Sequence, residues 1–362
     1  MPSTDGAGSA PPENHKRGVR RRHIPMPLPR FGTFSIVAAD VAAGQWGVAV
    51  QSRFISVGAV VPWAASGVGA VATQALANVA YGPEGLERLR RGESAESVVA
   101  KLTAADKKRD QRQLGVVDAK GRAAAFTGKE CLDWAGHIVG DGFACQGNIL
   151  FSKDVVGAMA RTFEATPGDL PERLLAALGS AQREGGDRRG MQSAALLIVR
   201  EKGGYDEGSD RWVDIRVDDH PTPIEELRRV FRLYDLTLLA REDPATLVPL
   251  SGDVARSVQQ SLQLLGFHSG RLTASWDAAT AKAFDKFLSE NNFENKARTD
   301  GTVWPSVLNY LDERSKAESV RRTSTAPIVQ NALDRGPGGA PKQEVLPSPA
   351  NPEPKGKAHR SK

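Results

Sequence analysis

The chain has 362 residues, and 48 Lys and Arg against 43 Asp and Glu give a formal net charge of +5. The length favours two domains, because domains cluster around roughly 100 to 150 residues. The basic excess lies in the flanking segments 1–32 and 313–362, and the segment between them is acidic. This distribution argues against a nucleic-acid-binding protein, whose basic residues would lie on the folded surface that contacts the groove.

Cysteine content and hydropathy bear on the location of the protein. Cys131 and Cys145 are the two cysteines, too few for a disulfide framework and typical of a reducing compartment. No apolar run approaches the roughly 20 residues that span a bilayer. Prolines follow the basic residues 20–22, where a signal peptide would have its apolar core. The sequence therefore predicts a soluble cytoplasmic protein without a membrane partner.

The main body of the chain begins at Thr33. Residues 1–32 lack a hydrophobic period and are predicted to be a disordered leader. The predicted strands are 33–39, 46–52, 58–64, 67–75, 113–118, 122–127, 136–139, 143–147, 192–200 and 211–217, and the predicted helices are 83–91, 95–102, 155–163, 171–183 and 223–233. Hairpins with helices inserted in pairs favour an α+β domain of antiparallel sheets over 33–238, and disfavour a parallel doubly wound sheet.

A second, smaller domain is predicted behind the first. Residues 239–252 are expected to form a linker, and three short helical patterns follow over 253–312. They predict a small three-helix domain near the lower size limit for independent stability. Residues 313–362 are rich in proline and charge, which predicts a disordered basic tail.

Three patterns suggest chemistry that their context does not support. Residues 67–72 match a dinucleotide-binding string but run into more β-type sequence instead of opening a helix. Residues 218–220 could bind a divalent cation, although short polar side chains here are also typical helix caps. Cys145 with His137 lacks the surroundings that activate a thiol, and a buried apolar role fits better. We therefore expect no metal site and no cofactor.

Polar clusters that interrupt apolar strands are harder to explain by packing. The clusters are 51–53, 146–148 and 187–193. The amides of Gln146 and Asn148 could donate to a developing oxyanion, and the arginines of the other clusters could bind a carboxylate. Turn formation and a local salt bridge would account for the same residues, and composition does not decide between these alternatives.

From Thr33 to about Leu233 the order of segments resembles a bacterial family, domain of unknown function 1028, which is similar to N-terminal-nucleophile (Ntn) hydrolases. The matching runs are 33–38, 47–53, 58–63, 67–74, 113–118, 146–148, 186–190 and 211–220. The resemblance implies an αββα sandwich, two antiparallel sheets between helical layers. Residues 254–311 are similar to the peptidoglycan-binding domain that often follows this family. That similarity implies a cell-wall glycan partner, with a docking or scaffold module as the alternative.

The resemblance also implies a reaction, hydrolysis of an amide bond in an unidentified small-molecule or peptide-like substrate. In an Ntn enzyme the first residue supplies the nucleophile and its own α-amine is the base. Arg53 would lower the pKa of that amine, and Gln146 or Asn148 would donate to the oxyanion. The implied residues are Thr33, Arg53, Gln146 and Asn148 for catalysis and Asp187, Arg188 and Arg189 for substrate binding.

One feature departs from this scheme. Gly32 precedes Thr33, so the nitrogen of Thr33 is an amide and cannot act as a base. Either the leader is cleaved at Gly32, or translation begins elsewhere, or the domain is catalytically silent. We therefore predict an Ntn-type hydrolase, with a non-catalytic binding or scaffold protein on the same fold as the alternative. A homo-oligomer is compatible with both alternatives.

Overall fold

A computed structural model describes residues 32–239 and 241–333, with side chains to residue 324. The chain divides into two compact units between Arg232 and Leu233. The expected leader 1–31 and the expected tail from 334 onward lie outside the described residues. Within the described ranges, no helix combines the length and the apolar composition needed to cross a membrane.

Two antiparallel sheets form the centre of the first unit as described. The strands are β1 (Thr33–Asp40), β2 (Gln45–Ser52), β3 (Pro62–Ala65), β4 (Gly69–Ala75), β5 (Arg112–Asp118), β6 (Ala123–Thr127), β7 (Gly136–Gly140), β8 (Phe143–Asn148), β9 (Ser193–Val199) and β10 (Arg211–Val217). One sheet has the order β10-β9-β2-β1-β8-β7, and the other has the order β3-β4-β5-β6. Hairpin connections between successive strands explain why neighbours in sequence, such as β1 and β2, pair in register.

Helices cover the outer face of each sheet. They are α1 (Tyr81–Arg90), α2 (Ala95–Ala105), α3 (Asp154–Ala165) and α4 (Leu170–Arg183), and a further helix, α5 (Pro223–Leu238), follows β10. The first two pack on the four-stranded sheet, where Leu86 and Leu102 meet Leu114. The next two contact the six-stranded sheet. The first unit is thus the αββα sandwich that the resemblance implied.

The strand alternation of β1 separates the two cores of the sandwich. Val37 and Ala39 pack with Val48 of β2 and Ala72 of β4 in the space between the sheets. Because successive side chains of a strand point to opposite faces, Ile36 faces the helical layer instead. Thr33 and Ser35 share the inward face with Val37, so the polar start of β1 lies at one end of the space between the sheets.

The predicted strand 58–64 differs from the observed structure. Val57–Ala59 form a 3₁₀ turn, and β3 begins only at Pro62. Gly58 lies against β9, where a Cβ on this residue would be 2.7 Å from the Cβ of Ala195. Glycine here permits the close approach of the turn to the sheet, which a β-propensity pattern does not reveal.

The second unit contains three complete α-helices within its described residues. They are α6 (Gly252–Leu264), α7 (Ala278–Glu290) and α8 (Pro305–Leu333), with two-residue strands β11 (Val248–Pro249) and β12 (Thr302–Val303). Its core is aromatic, and the ring of Phe287 lies 5.6 Å from Phe267 and 6.5 Å from Phe293 between centroids. The unit matches the expected three-helix domain.

Both expected boundaries of this small domain differ from the structure. The expected linker 239–252 includes β11, which pairs with β12, and Leu250, which is buried in the core. Helix α8 continues past the expected end at residue 312, where Lys316 pairs with Asp312 and Arg322 with Glu318. Such pairs, four residues apart, stabilise an exposed helix. The charge alternation ascribed to a disordered tail is here the exposed face of a helix.

Candidate functional site

Thr33 begins β1 and is almost fully buried, with 3% of its surface exposed. It pairs with Ser52 of β2 on one side and with Asn148 of β8 on the other. The Oγ1 atom of Thr33 lies 3.0 Å from Oγ of Ser52. The end of the central strand therefore brings two hydroxyl groups into hydrogen-bond contact.

The carbonyl oxygen of Gly32, directly before Thr33, accepts two hydrogen bonds. Oγ of Ser52 donates to it at 2.5 Å, and Nη2 of Arg189 donates to it at 2.8 Å. Since Ser52 has a single hydroxyl hydrogen, the hydroxyl of Thr33 is the donor in the Thr33–Ser52 bond. A continuous chain of hydrogen bonds therefore runs from the hydroxyl of Thr33 through that of Ser52 to the carbonyl oxygen of Gly32.

Asp187 fixes the orientation of the guanidinium of Arg189. Its carboxylate accepts from Nε of Arg189 at 3.0 Å and from Nη2 at 2.7 Å, the two-point geometry that arginine forms with carboxylates. The backbone N–H of Arg53 donates to the same carboxylate at 3.0 Å. The side chain of Asp187 is fully buried, and its two-point contact directs Nη2 of Arg189 toward the carbonyl of Gly32.

Gly32 itself lies tightly against Asp187. A Cβ atom on Gly32 would lie 2.6 Å from Oδ1 and 2.7 Å from Oδ2 of the carboxylate. Real Cβ atoms do not approach oxygens this closely, and Asp187 is held on several sides. The position before Thr33 therefore has room for glycine and for no larger residue without rearrangement.

The other two candidate arginines bond elsewhere. The guanidinium of Arg53 donates to the carbonyl of Met191 at 2.8 Å, and that of Arg188 donates to the carbonyl of Asp133. Arg53 thus joins the Thr33 surroundings through its backbone, in the bond to Asp187. Of the three arginines singled out from sequence, Arg189 is the one bonded to the residue before Thr33.

A network of uncharged polar side chains lies behind Thr33, between the sheets. Nε2 of Gln146 donates to Oγ of Ser35 at 2.7 Å, and Ser35 donates to Oε1 of Gln74 at 2.6 Å. Nε2 of Gln74 then donates to Oε1 of Gln113 at 2.7 Å. The same Gln113 oxygen accepts from Nδ2 of Asn148 at 2.9 Å. The hydrogen bonds described for the side-chain amides of Gln146 and Asn148 are thus made to other members of this network.

Two features hold the network in place. Nε2 of Gln113 donates to the carbonyl of Gly147 at 2.8 Å and to Thr127 at 2.9 Å, which ties β5 to β8 and β6. Gly115 of β5 leaves the space that the Gln146 amide occupies, because a Cβ there would collide with that amide. Buried polar groups that are mutually bonded specify one arrangement of the strands.

Thr33 and Gln74 also form one wall of a pocket of about 140 Å³, hereafter the Thr33 pocket. Its other lining residues are apolar, namely Phe54, Val57, Val60, Val61, Ala75 and Ala77. Ala75 has a backbone φ of 67°, a left-handed conformation that costs energy for a residue with a Cβ. Non-glycine residues held this way concentrate at binding and active sites.

Sequence reasoning found the two ends of this site but missed its centre. Thr33 and Arg189 were candidates, whereas Ser35, Gln74 and Gln113 were not singled out. A usable signal was present, because each is a polar residue at an inward position of a strand with apolar neighbours. Reading each strand one face at a time would have revealed them.

The alternative sites have ordinary structural roles. Cys145 is fully buried, and burial raises the pKa of its thiol well above the usual value, so it is the inert residue expected. Nδ1 of His220 accepts from the backbone N–H of Thr222 at 3.1 Å, just before α5 begins at Pro223. Across the described part of the chain, no three His, Cys, Asp or Glu side chains are grouped as metal ligands.

Comparison with known proteins identifies the family. Residues 33–227 match the model described as "Family of unknown function (DUF1028)", and residues 237–311 match the model described as "Putative peptidoglycan binding domain". A similar solved structure is the crystal structure of protein SPO2555 from Silicibacter pomeroyi, of the same family model. It is 32% identical with a TM-score of 0.52, over 62% of this chain and 89% of that chain. The comparison with curated proteins gives no match. Fold, sequence and the extent of the match agree, and the chain belongs to the DUF1028 family of unknown function.

Proposed function

We propose that this protein is an Ntn-type hydrolase of an amide bond, with Thr33 as nucleophile after removal of the leader. The observation that carries the proposal is the carbonyl of Gly32, which accepts from both Ser52 and Arg189. Two donors, one of them cationic, would stabilise the negative charge that develops on a carbonyl oxygen under attack. An ordinary strand start has no need of such an arrangement.

The first proposed step is self-cleavage before Thr33. Oγ1 of Thr33 attacks the carbonyl carbon of Gly32, and its proton passes to the nitrogen of Thr33 as the C–N bond breaks. This acyl shift leaves an ester on Oγ1 and a free α-amine on Thr33. Water then hydrolyses the ester and releases the segment that ends at Gly32. The hydrogen bond from Thr33 to Ser52 gives the hydroxyl proton a first acceptor.

The second proposed step is turnover of an external amide by the mature chain. The α-amine takes the proton of Oγ1 as this atom attacks the substrate carbonyl, and the leaving amine is protonated as the C–N bond breaks. Ser52 and Arg189, which no longer hold Gly32, would bind the oxyanion, and Asp187 would orient Arg189. The acyl ester on Thr33 is then hydrolysed by water.

The remaining candidate residues receive less direct roles. Gln146 and Asn148 would position β1 through Ser35 and Gln113, because the hydrogen bonds described for their side-chain amides are made to those residues. Arg53 would support Asp187 through its backbone N–H. Arg188 is exposed and would contact the part of a substrate that extends into solvent.

Intact mass of the protein from its natural host tests the proposal. We expect a mature chain that begins at Thr33, and we expect Thr33→Ala to abolish both cleavage and amide hydrolysis. Thr33→Ser should retain part of both, because it keeps a hydroxyl. Thr246→Ala, on an exposed turn of the second unit, is the control. An uncleaved wild-type chain with unchanged activity in Thr33→Ala would leave the binding or scaffold protein as the correct alternative.

We further propose that the second unit binds cell-wall glycan. The match to a peptidoglycan-binding description supports this, together with a pocket of about 360 Å³ between α6 and α8. Ser257, Asn309 and Asp312 line it, and such side chains suit the hydroxyl and amide groups of a glycan. Co-sedimentation of the full chain with purified peptidoglycan, compared with Asn309→Leu and with Asn291→Leu outside the pocket, tests this role. Equal sedimentation of both variants would contradict it.

The proposed location remains the cytoplasm. It rests on Cys131 and Cys145, which are both free thiols in the structure. A glycan-binding role would require contact with the cell wall at some stage. Fractionation of the natural host separates these two proposals, because recovery in the wall fraction would contradict the cytoplasmic location.

A further inference from the structure

The Thr33 pocket limits which amides could react, provided that the proposed function holds. Its volume is about 140 Å³, and six of its described lining residues are apolar. An engineered cavity of about 150 Å³ in another protein takes up benzene. We infer that the Thr33 pocket binds the acyl chain of the substrate, and that this chain is apolar with about four to six carbon atoms.

The polar groups on the pocket wall are already engaged. Gln74 accepts from Ser35 and donates to Gln113, so its amide belongs to the network behind the pocket. The hydroxyl of Thr33 donates to Ser52. None of the described lining residues is charged. A carboxylate or an ammonium on the acyl chain would lose its hydration and gain no partner, so charged acyl groups are rejected.

The pocket fits the acyl half of the substrate better than the amine half. The acyl group becomes an ester on Oγ1 of Thr33, whereas the amine departs. Oγ1 belongs to a residue that forms part of the pocket wall. In the uncleaved chain Gly32 is the acyl residue of the cleavage step, and a Cβ on it would lie 2.6 Å from the carboxylate of Asp187, so an acyl group bound in its place has no room for a side chain in that direction. The chain that stays on Thr33 therefore extends into the pocket.

Backbone conformation keeps the pocket walls in place. Ala75 and Ser56 have φ values of 67° and 52°, in the left-handed region that residues with a Cβ rarely adopt. Ala75 lies on the wall, and Ser56 directly precedes Val57, another lining residue. Strained residues on two sides of one cavity indicate a defined shape that the surrounding structure holds.

Hydrolysis of N-acyl-4-nitroanilides tests the inference. We expect kcat/KM to be highest for chains between butanoyl and hexanoyl and to fall at least about tenfold for decanoyl, by the usual discrimination of a hydrophobic pocket. Adipoyl, in which a carboxylate replaces the terminal methyl group of hexanoyl, should also react at least about tenfold more slowly than hexanoyl. A rate independent of chain length and charge would overturn the inference.

Pocket variants connect this preference to the structure. Val60 is half-buried, and Val60→Phe should fill part of the pocket and move the optimal acyl chain to acetyl. Val57→Ala should enlarge it and move the optimum to longer chains, which keeps the test decisive if Val60→Phe does not fold. Val320→Phe, on an exposed position of α8, is the matched control and should keep the wild-type optimum. An optimum that is the same in all three variants would contradict the assignment.

The two proposals fail in different ways. Hydrolysis that Thr33→Ala abolishes, but that shows no chain-length optimum, would overturn the pocket assignment and leave the hydrolase. If no anilide is hydrolysed, the proposed function fails for these amides, and binding of pentanamide measured by ligand-observed NMR decides the pocket. Binding to wild type that Val60→Phe abolishes would support the pocket, and equal binding or none would overturn it.

Discussion

Arg189 and Gly32 are hydrogen-bonded at 2.8 Å although they lie 157 positions apart in sequence. This hydrogen bond joins the loop before β9 to the peptide bond between Gly32 and Thr33. Arg189 is oriented by Asp187, whose side chain is fully buried, so the positive charge beside the Gly32 carbonyl depends on this ion pair.

Arg189→Lys is expected to slow cleavage before Thr33 by about 10² to 10³, the usual effect of losing an oxyanion donor. Lysine keeps the positive charge beside Asp187. It has no planar guanidinium that could donate to the carboxylate of Asp187 and to the carbonyl of Gly32 at the same time. Intact mass followed over time measures the rate. Arg188→Lys is the matched control, because Arg188 bonds to the carbonyl of Asp133. Equal cleavage rates in the two variants would contradict the assigned role.

Gly32→Ala is expected to destabilise the uncleaved chain by about 1 to 3 kcal/mol, the usual cost of overpacking. The added methyl group meets the carboxylate of Asp187, which is held by Arg189 and Arg53. Urea unfolding in the Thr33→Ala background, where cleavage is blocked, isolates this effect.

Gly208→Ala is the control for that substitution, because its added Cβ would meet only an ordinary contact at 3.4 Å. We expect a change below about 0.5 kcal/mol for the control, as for other unconstrained surface sites. If Gly32→Ala were equally mild, the tight packing at Asp187 would not constrain the residue before Thr33.

Gln113→Leu is expected to destabilise the first unit by about 2 to 4 kcal/mol, because unsatisfied buried donors cost about 1 to 3 kcal/mol each. The change leaves the amide hydrogens of Gln74 and Asn148 without their acceptor. Gln111→Leu is the matched control, since Gln111 bonds to Glu130 at an exposed site. Urea unfolding midpoints measure both, and similar losses would show that the network adds no stability.

The ionisation of Asp106 is expected to make the stability of the fold depend on pH. Burial raises the pKa of this carboxyl, but hydrogen bonds from Arg112, the Lys108 N–H and Tyr81 outweigh burial and lower the pKa to about 2. The folded-state pKa lies below the ordinary value of 3.8. The stabilisation is therefore present above about pH 4 and is lost as the pH falls through 2.

Asp106→Asn should accordingly destabilise the protein by about 1 to 2 kcal/mol at pH 7, and this difference should shrink at pH 2. Urea unfolding at the two pH values measures it. Asp141→Asn, in the exposed turn between β7 and β8, is the control and should change little at either pH. A loss that is independent of pH would mean that the charge of Asp106 contributes nothing.

Much of the fold could be predicted because the sequence patterns are local. The alternation in β1 and the helical spacing of Leu174, Leu175 and Leu178 in α4 mark their elements directly. The 3₁₀ turn at Val57–Ala59 was missed, since it depends on how closely Gly58 approaches β9. Helix α8 was cut short because its exposed face resembles a disordered charged tail.

The site was harder to predict than the fold for a physical reason. Its residues come from five strands and one loop, and their contacts depend on the stacking of two sheets. Nothing in the sequence around Arg189 and Arg53 distinguishes the roles of the two arginines. Only the loop geometry directs the first to Gly32 and the second to Met191. Gln113 stands between Arg112 and Leu114, and no local pattern shows that it joins three strands.

The polar network behind Thr33 has a consequence for the way a mature site would respond to pH. Its members are hydroxyls and carboxamides, Ser35, Gln74, Gln113, Gln146 and Asn148. Such groups neither gain nor lose protons in the physiological range, so their hydrogen bonds keep the same strength as the medium changes. Cleavage before Thr33 would add an α-amine to this electrically constant background. The pH–rate curve would then rise through one ionisation, that of the new amine, and would report the pKa of that group directly.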